Sequence, residues 1–114
     1  MTSDEALKKA LSLLGLGLRA RRVAVGVDAA RVALQKGAAF AIVIASDAGE
    51  RANEKIVVLA GHKQVPLYTG PDAERLGAAL GRPPVHGVAV LDRQLARGLR
   101  TYLAANAAGE NRAG

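Results

Sequence analysis

The chain has no cysteine and no tryptophan, one phenylalanine (Phe40), two tyrosines (Tyr68 and Tyr102) and two histidines. Each shortage removes a class of chemistry. Without cysteine there are no disulfides, thiolate zinc sites or cysteine nucleophiles, a composition compatible with a reducing compartment. His62 and His86 stand far apart in the sequence, so no set of ligands at metal-binding spacing forms around them. Three scattered aromatic rings do not make the stacking platform of an RRM or OB-type single-strand binder. No apolar run approaches the ~20 residues of a membrane span. The opening stretch, MTSDEALKKALSLLGLGL, puts acids before lysines and lacks the uninterrupted apolar core of a secretory signal. P-loop, HExxH and Ser–His–Asp patterns are missing as well. The expectation is a soluble cytoplasmic protein, not an enzyme, with no cofactor, no metal and no membrane partner.

What is present is apolar and basic. The chain has 114 residues, of which 50% are hydrophobic, mostly Ala, Val and Leu. That length suits one domain, which buries about two thirds of the surface of its unfolded chain. Net charge is +6 and the sequence pI about 10.3. Residues 1–40 carry +4, residues 41–81 carry −1 and residues 82–114 carry +3. Polyanions are the default partner of such a surface, the plain alternative being charge that serves solubility.

The apolar pattern resolves into alternating helices and strands. Residues 2–18 read as a helix, with Thr2 and Glu5 at capping-box spacing and Leu7, Leu11, Leu14 and Leu18 on one stripe. Val23 to Val25 form a short strand. Residues 27–36 form a second helix with Val27, Ala30 and Leu34 inward, opened by Gly26 and closed by Gly37. The run 40–45 reads as a fully buried strand, with Phe40 in the core. Asp47 is expected to cap a third helix that buries Ala52, Ile56 and Leu59 and ends at Gly61. Val65 to Tyr68 read as a strand that begins at Pro66 or lies at an edge. Pro71 and Asp72 start a fourth helix that buries Ala73, Leu76 and Leu80 and stops at Gly81. The stiff loop RPPVHG (82–87) precedes a last strand, 88–91. A final helix, 93–103, turns Leu95, Leu99, Tyr102 and Leu103 inward and Arg93, Arg97 and Arg100 outward. This order predicts an α/β fold, a three-layer α/β/α sandwich around a small mixed sheet of about four strands. One domain covers residues 1–103, and residues 104–114 read as a frayed tail.

Gly15, Gly17 and Ala20 match the spacing G-x-G-x-x-A of a dinucleotide-binding turn. That fingerprint must follow a strand and open a helix; here it ends one, and no ribose-binding acid follows at the required distance. The glycines are read as letting the first helix turn toward Val23. A different cluster points to function. Arg19, Arg21 and Arg22 precede the glycine that opens the second helix. A helix start offers free N–H groups and partial positive charge, which suits a phosphate backbone. Two prolines stiffen the loop RPPVHG, Val85 offers a small apolar contact, and loops at one end of such a sheet gather together. The equal alternative is a loop that only connects.

The segments GVDAARVALQKG (26–37), IASD (44–47), LGLGLRARRV (14–23), PLYT (66–69) and VAVLD (88–92) in this order resemble the ribosomal protein L-seven-Ae/L-thirty-e superfamily, the kink-turn RNA binders. They are most similar to its short bacterial YlxQ-like members, over about residues 7–103. The resemblance implies the α/β/α sandwich and an RNA ledge. The ledge would comprise the start of the second helix and the loop before the last strand. With the basic cluster that precedes it, the expected RNA contacts are Arg19, Arg21, Arg22, Gly26, Asp28, Ala29, Lys36, Pro84, Val85 and His86. In it the family's Asn, Glu and Lys correspond to Asp28, Ala29 and Val32; a carboxylate accepts hydrogen bonds but cannot donate as Asn does. The expected role is RNA binding, on the ribosome or on another structured RNA. The alternatives are a protein-interaction module on the same fold and a small-molecule binder.

Overall fold

Two runs of consecutive apolar residues, AIVI and GVAV, form the centre of the molecule. The computed structural model describes the backbone of residues 3–113 and the side chains of residues 3–103. The elements are α1 (Ser3–Arg19), β1 (Val23–Val25), α2 (Val27–Gln35), β2 (Ala41–Ile44), α3 (Glu50–Lys63), β3 (Leu67–Thr69), α4 (Ala73–Ala79), β4 (Gly87–Val90) and α5 (Arg93–Ala113). The sheet order is β1-β4-β2-β3. β4 runs antiparallel to both β1 and β2, while β2 and β3 are parallel, joined by α3. The sheet is therefore mixed, with β2 and β4 buried on both faces.

Alternation along the central strands splits the core in two. Ala41, Val43, Val88 and Val90 face Leu14, Leu76, Leu99 and Leu103. Ile42 and Ala89 face Leu34, Ile56 and the alanines of α2 and α3. Layers of helices on both sides of one sheet make the expected α/β/α sandwich. β3 is an edge strand, and Pro66 stands just before it.

Several local expectations give way to tertiary ones. Only Leu14 of the expected α1 leucine stripe is fully buried; Ala6, Ala10 and Gly17 share that face, which lets α5 approach closely. Gly15 and Gly17 do not turn a corner. Both lie inside α1, and the corner is made by Arg21 at φ 61°. Gly61 does not end α3, which runs on to Lys63 and stops where Gln64 takes a left-handed conformation, two residues before Pro66. Thr2 of the expected capping box lies outside the described residues. So do the side chains of 104–114, the reading of which as a tail rests on the sequence alone.

Asp47 is a helix cap, but not of α3, whose N-cap is Gly49. The Asp47 Oδ1 accepts a hydrogen bond from Ala73 N at 2.8 Å, and Asp72 Oδ1 accepts one from Arg75 N at 2.8 Å. Two carboxylates thus satisfy two free donors at the start of α4. Asp47→Ala leaves the Ala73 N–H without its charged acceptor. It is expected to cost about 1–2 kcal/mol in denaturant unfolding, with Asp47→Asn costing less. A loss indistinguishable from zero would show that water replaces the carboxylate.

Candidate nucleic-acid interface

Three parallel strand directions give the molecule two chemically different poles. β1, β2 and β3 all end at one pole, where α2, α3 and α4 begin. They all start at the other, where α1, α2 and α3 end and α5 begins. Acids stabilise helix starts and bases stabilise helix ends. Asp28, Glu50, Asp47 and Asp72 accordingly collect at the first pole. Arg19 and Lys63, in the last turns of α1 and α3, lie at the second.

The ledge anticipated from the sequence lies at the first pole. Gly26 adopts φ 107° and ψ 153°, a region open essentially to glycine alone, and with no side chain it leaves the start of α2 without a side-chain cap. Its N–H donates to the Gly87 carbonyl at 2.8 Å. Ala45 N donates to the His86 carbonyl at 2.9 Å, and Val85 N to the Ala73 carbonyl at 2.9 Å. The loop 82–87 is thereby tied to the start of α2, the end of β2 and the start of α4. Gly26, Asp28, Ala29, Pro84 and His86 are brought together on this edge. Pro84, His86 and Asp28 are exposed.

Val85 differs from its expected role. It is 7% exposed and packs among the core residues, so its side chain anchors the loop and presents nothing to a ligand. The basic residues differ more. Arg22 precedes β1 and Gly26 follows it, a separation of about 13 Å along an extended strand. Lys36 is the C-cap of α2, about 15 Å from the helix start along its axis. Arg19, Arg21, Arg22 and Lys36 therefore sit at the second pole, not beside the start of α2. Chain proximity misled here because a three-residue strand crosses the whole sheet.

The ledge has a cation that the sequence did not advertise. Lys55, on α3, places its Nζ 3.6 Å from Asp28 Oδ1. The pair is exposed and contributes little to stability. Its effect is local: it offsets the one carboxylate in the first turn of α2. Its partners are joined by the packing of α2 on α3, which no local spacing signals.

At the second pole Arg22 pairs with Asp92 at 3.3 Å. Asp92 also caps α5, accepting from Leu95 N at 2.9 Å. Phe40 is not in the core. The residue is 39% exposed, and its ring lies under the Arg93 guanidinium, 5.5 Å from the ring centroid. The strand begins one residue later than expected, at Ala41, and Phe40 falls in the bend before it. Among the described residues no group of three or more His, Asp or Glu side chains could hold a metal ion. No described helix is long and apolar enough to cross a membrane.

Residues 8–100 match the model of the ribosomal protein L7Ae/L30e/S12e/Gadd45 family. Among solved structures, the chain is similar to a protein of unknown function from Bacillus halodurans C. The two share 31% identity and a TM-score of 0.80, over 84% of this chain and 97% of that one. It is also similar to the Giardia lamblia 15.5kD RNA binding protein, at 18% identity and a TM-score of 0.73, over 89% of this chain and 87% of that one. The second likeness, at that identity, concerns the fold. No curated protein matches the chain by sequence.

Proposed function

The chain belongs to the ribosomal protein L7Ae/L30e/S12e/Gadd45 family, and on that premise we propose that it is a non-enzymatic binder of structured RNA acting in the cytoplasm, in association with the ribosome or with another folded RNA. The RNA-binding protein among its structural neighbours supports the reading. The observation that carries it is the joint between Gly26 and the loop 82–87, a bare helix start beside exposed Pro84 and His86. Gly26 lets a phosphate approach the free N–H groups of α2, and Pro84 and His86 pack on a protruding nucleotide.

Kink-turn specificity takes an altered form in this reading. Asp28 offers no amide donor to a base edge, and Ala29 and Val32 carry no polar group. Lys55, held at Asp28, supplies a cation at the helix start. The ledge then recognises shape and phosphate more than base identity, because phosphate contacts carry much of the affinity and little of the sequence information.

The test is a titration of the full chain against a kink-turn RNA and a plain duplex at two salt concentrations. Kink-turn RNA is expected to bind more tightly than duplex. Lys55→Ala should lower the salt slope by about 1 without changing the preference among sequences. Equal affinity for both RNAs would remove the shape-reading ledge. Absence of RNA binding at low salt would favour a protein-interaction module, a reading helped by Val32, 44% exposed one turn into α2.

A further inference from the structure

A basic surface lies away from the ledge, and one part of it has the form of a site. Between α5 and the edge strand β3 lies a cleft of about 170 Å³. Phe40, Pro66 and Tyr68 line one side, and Arg93, Arg97 and Arg100 the other. The three arginines repeat at the spacing of one helix face, where like charges destabilise a helix. Arg93 is placed worse still, in the first turn of α5, against the positive end of the helix dipole. Helix electrostatics explain Arg19 and Lys63 elsewhere on this pole; they oppose this stripe. Among the described residues no carboxylate forms an ion pair with any of the three. Such a stripe is stabilised by an external polyanion.

We propose that this cleft binds an unpaired nucleotide of single-stranded RNA, as a second contact separate from the ledge. The Arg93 guanidinium already covers one face of the Phe40 ring; a heterocyclic base stacks on the outward plane of that guanidinium, which the ring beneath holds flat, since bases stack on both aromatic and guanidinium planes. Arg97 and Arg100 follow along the groove and meet the adjoining phosphates. Lys36, at the α2 end of the same pole, extends the positive field. An acidic protein partner would use the charge but has no need of an exposed ring.

The experiment is fluorescence anisotropy of the full chain with a short labelled oligouridine at two salt concentrations. Phe40→Ala is expected to weaken binding about tenfold, and Phe40→Tyr to restore it, because a tyrosine ring keeps the stacking surface. Arg97→Gln with Arg100→Gln should lower the salt slope by about 1.4, the single-strand value for two lost phosphate contacts. Thermal melting of each variant reads out the fold independently. The proposal is overturned if the parent chain does not bind oligouridine. It is equally overturned if Phe40→Ala binds like the parent while the Gln variants weaken, or if polyglutamate competes as well as unlabelled oligouridine. A chain that binds oligouridine through Phe40 but no kink-turn RNA would retain this site and lose the ledge.

Discussion

Gly77→Ala is expected to cost about 3 kcal/mol, the upper end for overpacking a tight contact, and to lower the melting temperature by about 10 °C. Gly77 is buried in α4 against the loop 82–87. A Cβ there would overlap the Pro83 carbonyl oxygen, and it would stand 2.8 Å from the Pro83 carbonyl carbon and 2.9 Å from the Arg82 oxygen. These are backbone atoms, in a segment whose φ angles are locked at two successive prolines, so no side chain can swing aside. The loop must lift from α4. That strains the bonds from Arg82 N to the Gly77 carbonyl and from Val85 N to the Ala73 carbonyl. Pro84 and His86 then leave the start of α2. Thermal melting gives the stability loss, and a kink-turn titration below the melting transition gives the functional one. Binding to oligouridine, at the other pole, should persist. A melting temperature unchanged by the alanine would mean that the loop is not held by α4 at all.

Leu34→Ala is expected to cost about 3–4 kcal/mol, typical of a leucine truncated where the surroundings cannot collapse. The buried residues of α2 are Ala30, Ala33 and Leu34, so one large fully buried side chain, helped by half-buried Val27, fixes this helix to the sheet. Leu34 packs with Ile42 and Ile56, each fully buried. The opposite layer is held by more leucines, among them Leu14, Leu76, Leu99 and Leu103. The loss should therefore be uneven. Amide exchange is expected to accelerate in α2 and α3 before α1 and α5, because opening follows the layer with fewest large contacts. Leu34→Met should cost less than about 1.5 kcal/mol, since it conserves volume. Uniform acceleration across all five helices would show that the two layers open as one unit.

The fold was largely legible because its signals are local. Continuous apolar runs marked β2 and β4, and Asp72 and Gly81 bounded α4 as expected. Gly37, at φ 71°, closed α2. The candidate site was legible in part. Gly26 and the loop 82–87 meet as the loop-gathering rule anticipates. The failures share one cause. Asp47 has the right chemistry for a cap, but it acts on a helix start 26 residues away. Lys55 reaches Asp28 only because α2 packs on α3. Phe40 adjoins a buried strand, yet it sits in the bend before the strand and faces an arginine from α5. Val85 lies in a loop, where exposure is the rule, but its side chain completes the core beneath that loop.

Amino-acid order alone set the list of elements, the bounds of α4 at Asp72 and Gly81 and the excess of cations, because periodicity, local capping and charge are read over a few residues at a time. It also fixed the glycine at which α2 begins. Only the assembled sheet decided which charges share a surface. Crossing β1 carries the chain from one pole to the other, so Arg22 and Gly26, near neighbours in the chain, end up on opposite sides of the molecule. Arg93 and Phe40, distant in the chain, come face to face. Strand order and direction, not chain order, determine where a negatively charged strand of RNA would meet its positive counterpart.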